Sequence, residues 1–372
     1  MKIVTIIGAR PQFIKAATVS RAIAEYNKAL TKGQERIEEV LVHTGQHYDE
    51  NMSDVFFEEL DIPQPDYHLG IGSANHGAQT GRMLEEIEKV LLKEEPDRVL
   101  VYGDTNSTLA GALTAAKLHI PVAHVEAGLR SFNRQMPEEI NRVLTDHIAD
   151  MLFAPTQTAV DNLRNEGISE DKIFLVGDVM YDAALYYGGR VEEKSNILEQ
   201  YHLQPQQYIL TTIHRAENTD DPVRLRAIFE GLSEVAKETR VVLPLHPRTK
   251  AALIRDSLYE TVIKSLIVIP PVGYLDMVML EKNARLIATD SGGVQKEAYF
   301  YRVPCVTLRG ETEWVELVEA GWNILVEPCD PEQIASNVIS YLNHKGIVSS
   351  SLYGQGDAAI KILRRIIWPR RY

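Results

Sequence analysis

Twelve short runs rich in valine, isoleucine and leucine recur along the chain, each followed by a polar turn and a longer segment of helical period. The runs are 2–7, 38–44, 97–104, 122–127, 151–156 and 173–178 in the first half, then 207–214, 240–247, 266–270, 286–290, 304–309 and 323–328. None alternates strictly between apolar and polar residues, which is how strands buried on both faces of a parallel sheet read. No Asn-Gly or Asp-Gly pair separates them, so helical crossovers rather than hairpins are the natural connections. Six runs in each half predict an α/β chain of two doubly wound domains. A total of 372 residues suits two cores of ordinary size.

The link between the halves is expected after Leu163 and before Gln207. The polar segment Tyr186 to Gln206 reads as a helix and connection of the second domain. Near the end, Ala359, Ile360, Ile362, Leu363, Ile366 and Ile367 fall on one face of a helical period, predicting an amphipathic helix.

A formal net charge of −13 argues against nucleic acid or an anionic membrane as partner, since both need a clustered positive field. A diphosphate needs only a few local cations and backbone N–H groups, so a nucleotide stays open. Cys305 and Cys329 form neither a CxxC pair nor a zinc-ligand spacing, and no metal is expected. The apolar start is too short for a signal peptide and no run is long enough to span a bilayer, so the expected location is the cytoplasm.

In open α/β sheets a ligand sits beyond the carboxyl ends of the strands. The first run ends in Gly8-Ala9-Arg10-Pro11 with Lys15 following, where Pro11 suits a first helical turn and Arg10 and Lys15 could meet a phosphate. The same residues suit an ordinary turn with solvent-facing cations. It is neither a G-x-G-x-x-G nor a P-loop, so NAD and ATP are not indicated. In the second half Asp290-Ser291-Gly292-Gly293 opens a helix whose free N–H groups can hold a diphosphate, with Glu297 one turn on for a ribose diol. The alternative is a tight turn with an N-cap. Asp104, Glu126 and Glu138 come from strand ends or the loop beyond in the first half, as a positioned base and a second acid would require. Each could instead cap a helix or pair with Arg130 or Arg142. His214 and Arg215 follow a strand of the second half, suited to protonating and neutralising a departing diphosphate, although a strand-end histidine can equally be structural.

Taken together, Gly8-Ala9-Arg10-Pro11, Thr44-Gly45-Gln46-His47, Gly103-Asp104-Thr105, His124-Val125-Glu126-Ala127-Gly128-Leu129-Arg130, Pro137-Glu138-Glu139, His214-Arg215-Ala216-Glu217-Asn218 and Asp290-Ser291-Gly292-Gly293 resemble the non-hydrolysing UDP-N-acetylglucosamine 2-epimerases. The resemblance runs in order from residue 1 to about 330. It implies a glycosyltransferase-B-like architecture, two Rossmann-like domains facing a cleft: 1–172 with the C-terminal helix 357–372 returning to it, and 173–356 binding UDP. It also implies interconversion of UDP-GlcNAc and UDP-ManNAc by elimination of UDP to a 2-acetamidoglucal and re-addition, supplying cell-surface polysaccharide precursors. No cofactor is implied, because no hydride moves, and a homodimer is expected. Asp104, Glu126, Glu138 and His214 match the family's catalytic positions. Arg10, Lys15, Ser291, Gly292, Gly293 and Glu297 match its UDP-binding and active-site positions, and Arg215 would neutralise charge beside them.

Departures bear on the sugar. Gln12 stands where G-T-R-P-E is usual, Thr312-Glu313-Trp314-Val315-Glu316 where T-E-R-P-E is usual, Tyr48-Asp49 follows His47, and Ala78 precedes Gln79-Thr80 where arginine is common. The last two touch positions that hold a second, activating UDP-N-acetylglucosamine in bacterial members. The same variants look like the branch acting on UDP-2,3-diacetamido-2,3-dideoxy-glucuronate. A glycosyltransferase and a UDP-sugar-binding sensor are competing readings on the same architecture; no apolar or basic acceptor surface in the first half favours the former.

Overall fold

The structure is a computed structural model that describes residues 1–31, 33–46, 57, 63–344 and 352–367, with only the backbone of Arg10 described. His47, Tyr48 and Asp49 lie outside the described residues, as does the end of the predicted C-terminal helix beyond Ile367. The chain divides into two compact units, Met1–Ala183 with Ser351–Tyr372, and Ala184–Ser350.

The first unit is built on a parallel sheet of β1 (Lys2–Ile7), β2 (Glu38–His43), β3 (Tyr67–His68), β4 (Arg98–Tyr102), β5 (Val122–Val125), β6 (Met151–Ala154) and β7 (Ile173–Leu175), in the order β3-β2-β1-β4-β5-β6-β7. The second holds β8 (Tyr208–Thr212), β9 (Arg240–Pro244), β10 (Ile267–Ile269), β11 (Leu286–Thr289), β12 (Cys305–Thr307) and β13 (Asn323–Leu325), in the order β10-β9-β8-β11-β12-β13. Every run read as a strand contains one. β3 is the addition, and two residues are too short to leave a periodic signal. The expected division at residue 172 falls inside the first unit, because β7 pairs with β6 through Leu152, Phe153 and Ala154 and so remains in the first sheet.

The missing alternation has a direct counterpart in burial. Val99 to Tyr102 of β4 and Tyr208 to Thr212 of β8 are buried at every position, covered by helices on both faces. In the second unit one apolar cluster includes Ile209, Phe229 and Leu253 and another includes Leu210, Val242 and Ile287, the alternate residues of β8 falling to opposite faces of the sheet. Each such side chain contributes about 1.5–3 kcal/mol on burial. Among the described residues no helix is long and apolar enough to cross a membrane.

In each sheet the strand order reverses direction once, between β1 and β4 and between β8 and β11. Adjacent crossovers there leave toward opposite faces, so a crevice opens at the carboxyl ends of those strands. Topology therefore nominates one location in each unit.

The helix Ala358–Ile367 belongs to the first unit and packs on the helix Arg10–Lys28. Its opening N–H groups, on Ala358 and Ala359, donate to the Asp182 carboxylate at 3.2 and 2.8 Å. Burial pushes the Asp182 carboxyl up to about 6 and Asp178 and Asp357 add to that, while the two amides only partly offset it. With the folded value above the ordinary 3.8, its stabilisation is full below 3.8 and is lost as pH rises through about 6. Asp182→Asn, which keeps an acceptor oxygen without the charge, should therefore gain stability relative to the parent as pH rises from about 4 to about 7. Urea unfolding across that range checks it, and a pH-independent difference would contradict the assignment.

Candidate active site

In the first unit the turn after β1 is fixed by a buried glutamine. Gln12 accepts from the amides of Gly8 and Ala9 at 2.8 and 3.0 Å and donates to the Tyr102 carbonyl at 2.8 Å and to Thr108 Oγ1 at 2.9 Å. It thus ties the end of β1 to the end of β4 across the switch point. Any side chain at position 8 would put its Cβ 2.0 Å from Thr44 Oγ1 and 2.3 Å from Ser107 Oγ, so only glycine lets these three segments meet. Ser107 in turn donates to Gln46 Oε1 at 2.7 Å, which closes the rim formed by the loop after β2.

Lys15, one turn into the helix, places Nζ 2.7 Å from Glu126 Oε1, and both side chains are more than nine-tenths buried. Glu126 has φ of +72°, a left-handed conformation that costs a non-glycine residue free energy and recurs where a site requires a particular side-chain direction. Asp104, at the end of the neighbouring strand, accepts from Arg142 Nη2 at 2.7 Å and Nε at 2.9 Å. Tyr102 of β4 is in register with Val125 of β5, so Asp104 and Glu126 leave adjacent strands just beyond paired residues. Each faces a cation, as the alternative sequence reading allowed for Asp104. Glu138 is exposed in the first turn of the helix Pro137–Ile148.

Beneath these groups runs a buried polar chain. His124 Nε2 donates to the Gly103 carbonyl at 2.7 Å and its Nδ1 lies 2.7 Å from Asp146 Oδ1. A carbonyl only accepts, and Asp146 also meets the Arg130 guanidinium at 2.8 Å, so both histidine nitrogens donate. Burial alone would raise the Asp146 carboxyl; His124 and Arg130 outweigh it and hold it below the usual carboxylate range. Gly103, at φ +64°, directly precedes Asp104, so this chain sets the turn from which Asp104 projects.

In the second unit Asp290, fully buried, accepts from the amides of His214 at 3.1 Å and Arg215 at 3.0 Å and from Asn218 Nδ2 at 3.1 Å. It binds the end of β8 to the end of β11 as Gln12 does in the first unit. His214 is left partly exposed, with Nδ1 3.6 Å from Asp290 Oδ1 and its ring 5.6 Å from that of His246. Gly292 begins the helix Gly292–Phe300, and a Cβ there would come within 2.2 Å of Glu313 Oε1. Glu313 lies 3.6 Å from Arg215 Nη2 and 3.0 Å from Arg309 Nη1. Ser291 stands at the N-cap position, as the alternative reading had it, but its hydroxyl makes no cap hydrogen bond to the helix. Gly292 and Gly293 thus head a helix whose start faces the Glu313 carboxylate and receives no cap hydrogen bond from the Ser291 hydroxyl. Glu297 is buried one turn along.

The two switch points thus carry different chemistry: paired carboxylates with their cations in the first unit, and a histidine, an arginine and a helix start in the second. The described side chains include Lys15, Asp104, Glu126 and Glu138 in one and His214, Arg215, Ser291 and Glu297 in the other; that of Arg10 is outside the description. The sequence pattern marked Gln12 only as a departure from the family motif and Glu139 only as part of Pro137-Glu138-Glu139, and it did not mark Asp146 or Arg309. Arg309 is two residues beyond the end of β12 and open to the rule already applied. Gln12 and Asp146 act through partners farther away along the chain, Tyr102 and His124 among them, and Glu139 through the nearby Ser131, Phe132 and Arg142. Among the described residues no group of three or more His, Cys, Asp or Glu could hold a metal ion.

A family model described as UDP-N-acetylglucosamine 2-epimerase matches residues 28–367. A UDP-2,3-diacetamido-2,3-dideoxy-D-glucuronate 2-epimerase of Pseudomonas aeruginosa is 54% identical over 365 residues, covering 97% of this chain and 98% of that protein. A UDP-N-acetylglucosamine 2-epimerase of Methanocaldococcus jannaschii is 50% identical over 370 residues, 98% of each chain. The crystal structure of the M. jannaschii enzyme in complex with UDP-GlcNAc and UDP matches with a TM-score of 0.89 at 49% identity, over 99% of this chain and 100% of that one.

Proposed function

The chain belongs to the UDP-N-acetylglucosamine 2-epimerase family, and from that premise we propose that it inverts C2 of a UDP-linked 2-acetamido sugar, interconverting UDP-GlcNAc and UDP-ManNAc. The observation that carries this reading is the pair of carboxylates, Asp104 and Glu126, leaving adjacent strand ends at the switch point of the first unit, each beside a cation.

The reaction is an elimination followed by its reverse with the opposite face presented. A carboxylate takes the C2 proton, the electron pair forms the C1–C2 double bond, and the C1–O bond breaks with UDP leaving. UDP then adds back to C1 while an acid returns a proton to C2 from the other face. Asp104, Glu126 and Glu138 supply the base and the acid. Lys15 neutralises Glu126, and Arg10 is assigned to UDP binding. In the second unit the amides of Gly292 and Gly293, with Ser291, receive the diphosphate at the helix start. Arg215 balances its charge, His214 protonates it as it departs, and Glu297 accepts from the ribose hydroxyls. Such groups favour the transition state because they are fixed before charge develops.

A second sugar has its own support, since a relative at 54% identity is named for UDP-2,3-diacetamido-2,3-dideoxy-D-glucuronate. Proton NMR in D₂O with each UDP-sugar in turn, without NAD or metal, checks both. The expected result is the manno isomer carrying deuterium at C2. The sugar with the higher kcat/KM is the substrate, and no exchange with either would remove the epimerase reading. The protein is further proposed to act as a cytoplasmic homodimer, which light scattering and cell fractionation test.

A further inference from the structure

Phe132 carries two costs at once, a strained backbone and an exposed aromatic side chain. Its φ is +57°, in the left-handed region that a bulky side chain avoids, and the residue is 74% exposed to solvent. The segment around it is firmly held. Glu139 Oε1 accepts the Phe132 amide at 3.0 Å and Glu139 Oε2 accepts the Ser131 amide at 3.0 Å. Ser131 Oγ accepts from the Asn133 amide at 3.3 Å, and Asn133 Oδ1 accepts from the Gln135 amide at 3.0 Å. The backbone is thus pinned while the ring is presented outward, the reverse of what burial of an aromatic side chain favours.

The pin is shared with the reaction. Glu139 Oε2 also meets Arg142 Nη1 at 2.9 Å, and Arg142 meets Asp104 at 2.7 Å. Burial would raise the Glu139 carboxyl, but the Ser131 amide and Arg142 hold it below its usual range, so it stays a charged acceptor for both. One buried carboxylate therefore sets both the strained turn at Phe132 and the guanidinium that orients Asp104. Phe132 also lies in the loop between Arg130 and the helix Pro137–Ile148 that carries Glu138.

Strained backbone that the surroundings over-determine marks positions where a ligand is clamped. An aromatic face suits the apolar side of a pyranose ring and the methyl of an acetamido group, which stack on it while their polar groups point elsewhere. Resting on the epimerase reading above, we infer that Phe132 is a positioning residue for the sugar of the UDP-sugar substrate, its ring covering the acetamido-bearing part of the pyranose.

Steady-state kinetics and UDP titration of the full-length protein test this with Phe132→Gly, Phe132→Ala and Phe132→Tyr. The glycine and alanine variants are expected to raise KM for the UDP-sugar ~10-fold with kcat within ~3-fold. The Kd for UDP alone should stay within ~2-fold, and tyrosine should restore the parent KM. Phe132→Gly should also melt no lower than the parent, because glycine removes the left-handed strain. An unchanged KM would overturn the inference, and so would UDP affinity falling in parallel with KM, which would assign the ring to the nucleotide. A shift in oligomeric state on light scattering would assign it to a second copy instead. If the parent turns over neither sugar, the epimerase reading fails. Titration of the UDP-sugar against parent and Phe132→Gly then still reads the ring contact: equal affinities overturn it.

Discussion

Asp104→Asn, Glu126→Gln and Glu138→Gln are each expected to lower kcat by roughly 10²–10⁴-fold while changing the Kd for UDP by less than about 3-fold. An amide has nearly the shape of the carboxylate but cannot take the proton from C2, so the loss falls on the chemical step. The three differ in what else they disturb. Glu138 is exposed, so its variant isolates the chemistry from folding. Asp104→Asn leaves Arg142 with its bond to Glu139 at 2.9 Å, so stability should change little. Glu126→Gln leaves the Lys15 ammonium, 2.7 Å away and buried, without its counter-charge, and should cost stability as well as turnover. Steady-state kinetics with calorimetric UDP titration separates these effects. Lost UDP affinity with unchanged turnover of bound substrate would remove the residue in question from the catalytic group.

The second large effect is on stability. Asp146→Asn should destabilise the protein by about 3–5 kcal/mol, the usual result of deleting one partner from a buried ionic network. Asp146 is the central acceptor: His124 at 2.7 Å, Arg130 at 2.8 Å and the Gly128 amide at 3.0 Å all converge on it. Asparagine keeps one acceptor oxygen but not the charge, which among the described residues leaves Arg130 balanced by the partly exposed Glu166. The Asp146 carboxyl is held below its usual range, so its stabilisation is present above the unfolded value of 3.8 and is lost as pH falls through the lower folded value. The gap between parent and variant in urea unfolding should accordingly be widest near neutral pH and narrow in acid. A loss under about 1 kcal/mol at neutral pH would show that the network contributes little beyond what asparagine retains. Turnover should fall in the variant too, because His124 fixes the Gly103 carbonyl beside Asp104.

Much of this was present in the sequence. Runs without alternation predicted parallel strands buried on both sides, and each lies where a strand formed, because burial on two faces leaves no polar position within a run. The polar residues after those runs gave the candidates at both switch points, because a parallel sheet puts the carboxyl ends of all its strands on one edge. Local pattern could not give the strand order. That order decides which strand ends become neighbours, and so which carboxylates meet. Gln12 lies 90 residues from the Tyr102 carbonyl it bonds, and His214 lies 76 from Asp290. Glu139, not Glu138, became a buried partner of Arg142, since adjacent helix positions face about 100° apart and only packing selects which one turns inward. Phe132 carried no signal at all, because neither its backbone angle nor its exposure is written in residue type. Periodicity is a property of neighbours along the chain and so is legible there; pairing across the sheet, burial of charge and strain are properties of neighbours in space, which exist only once the chain has closed on itself.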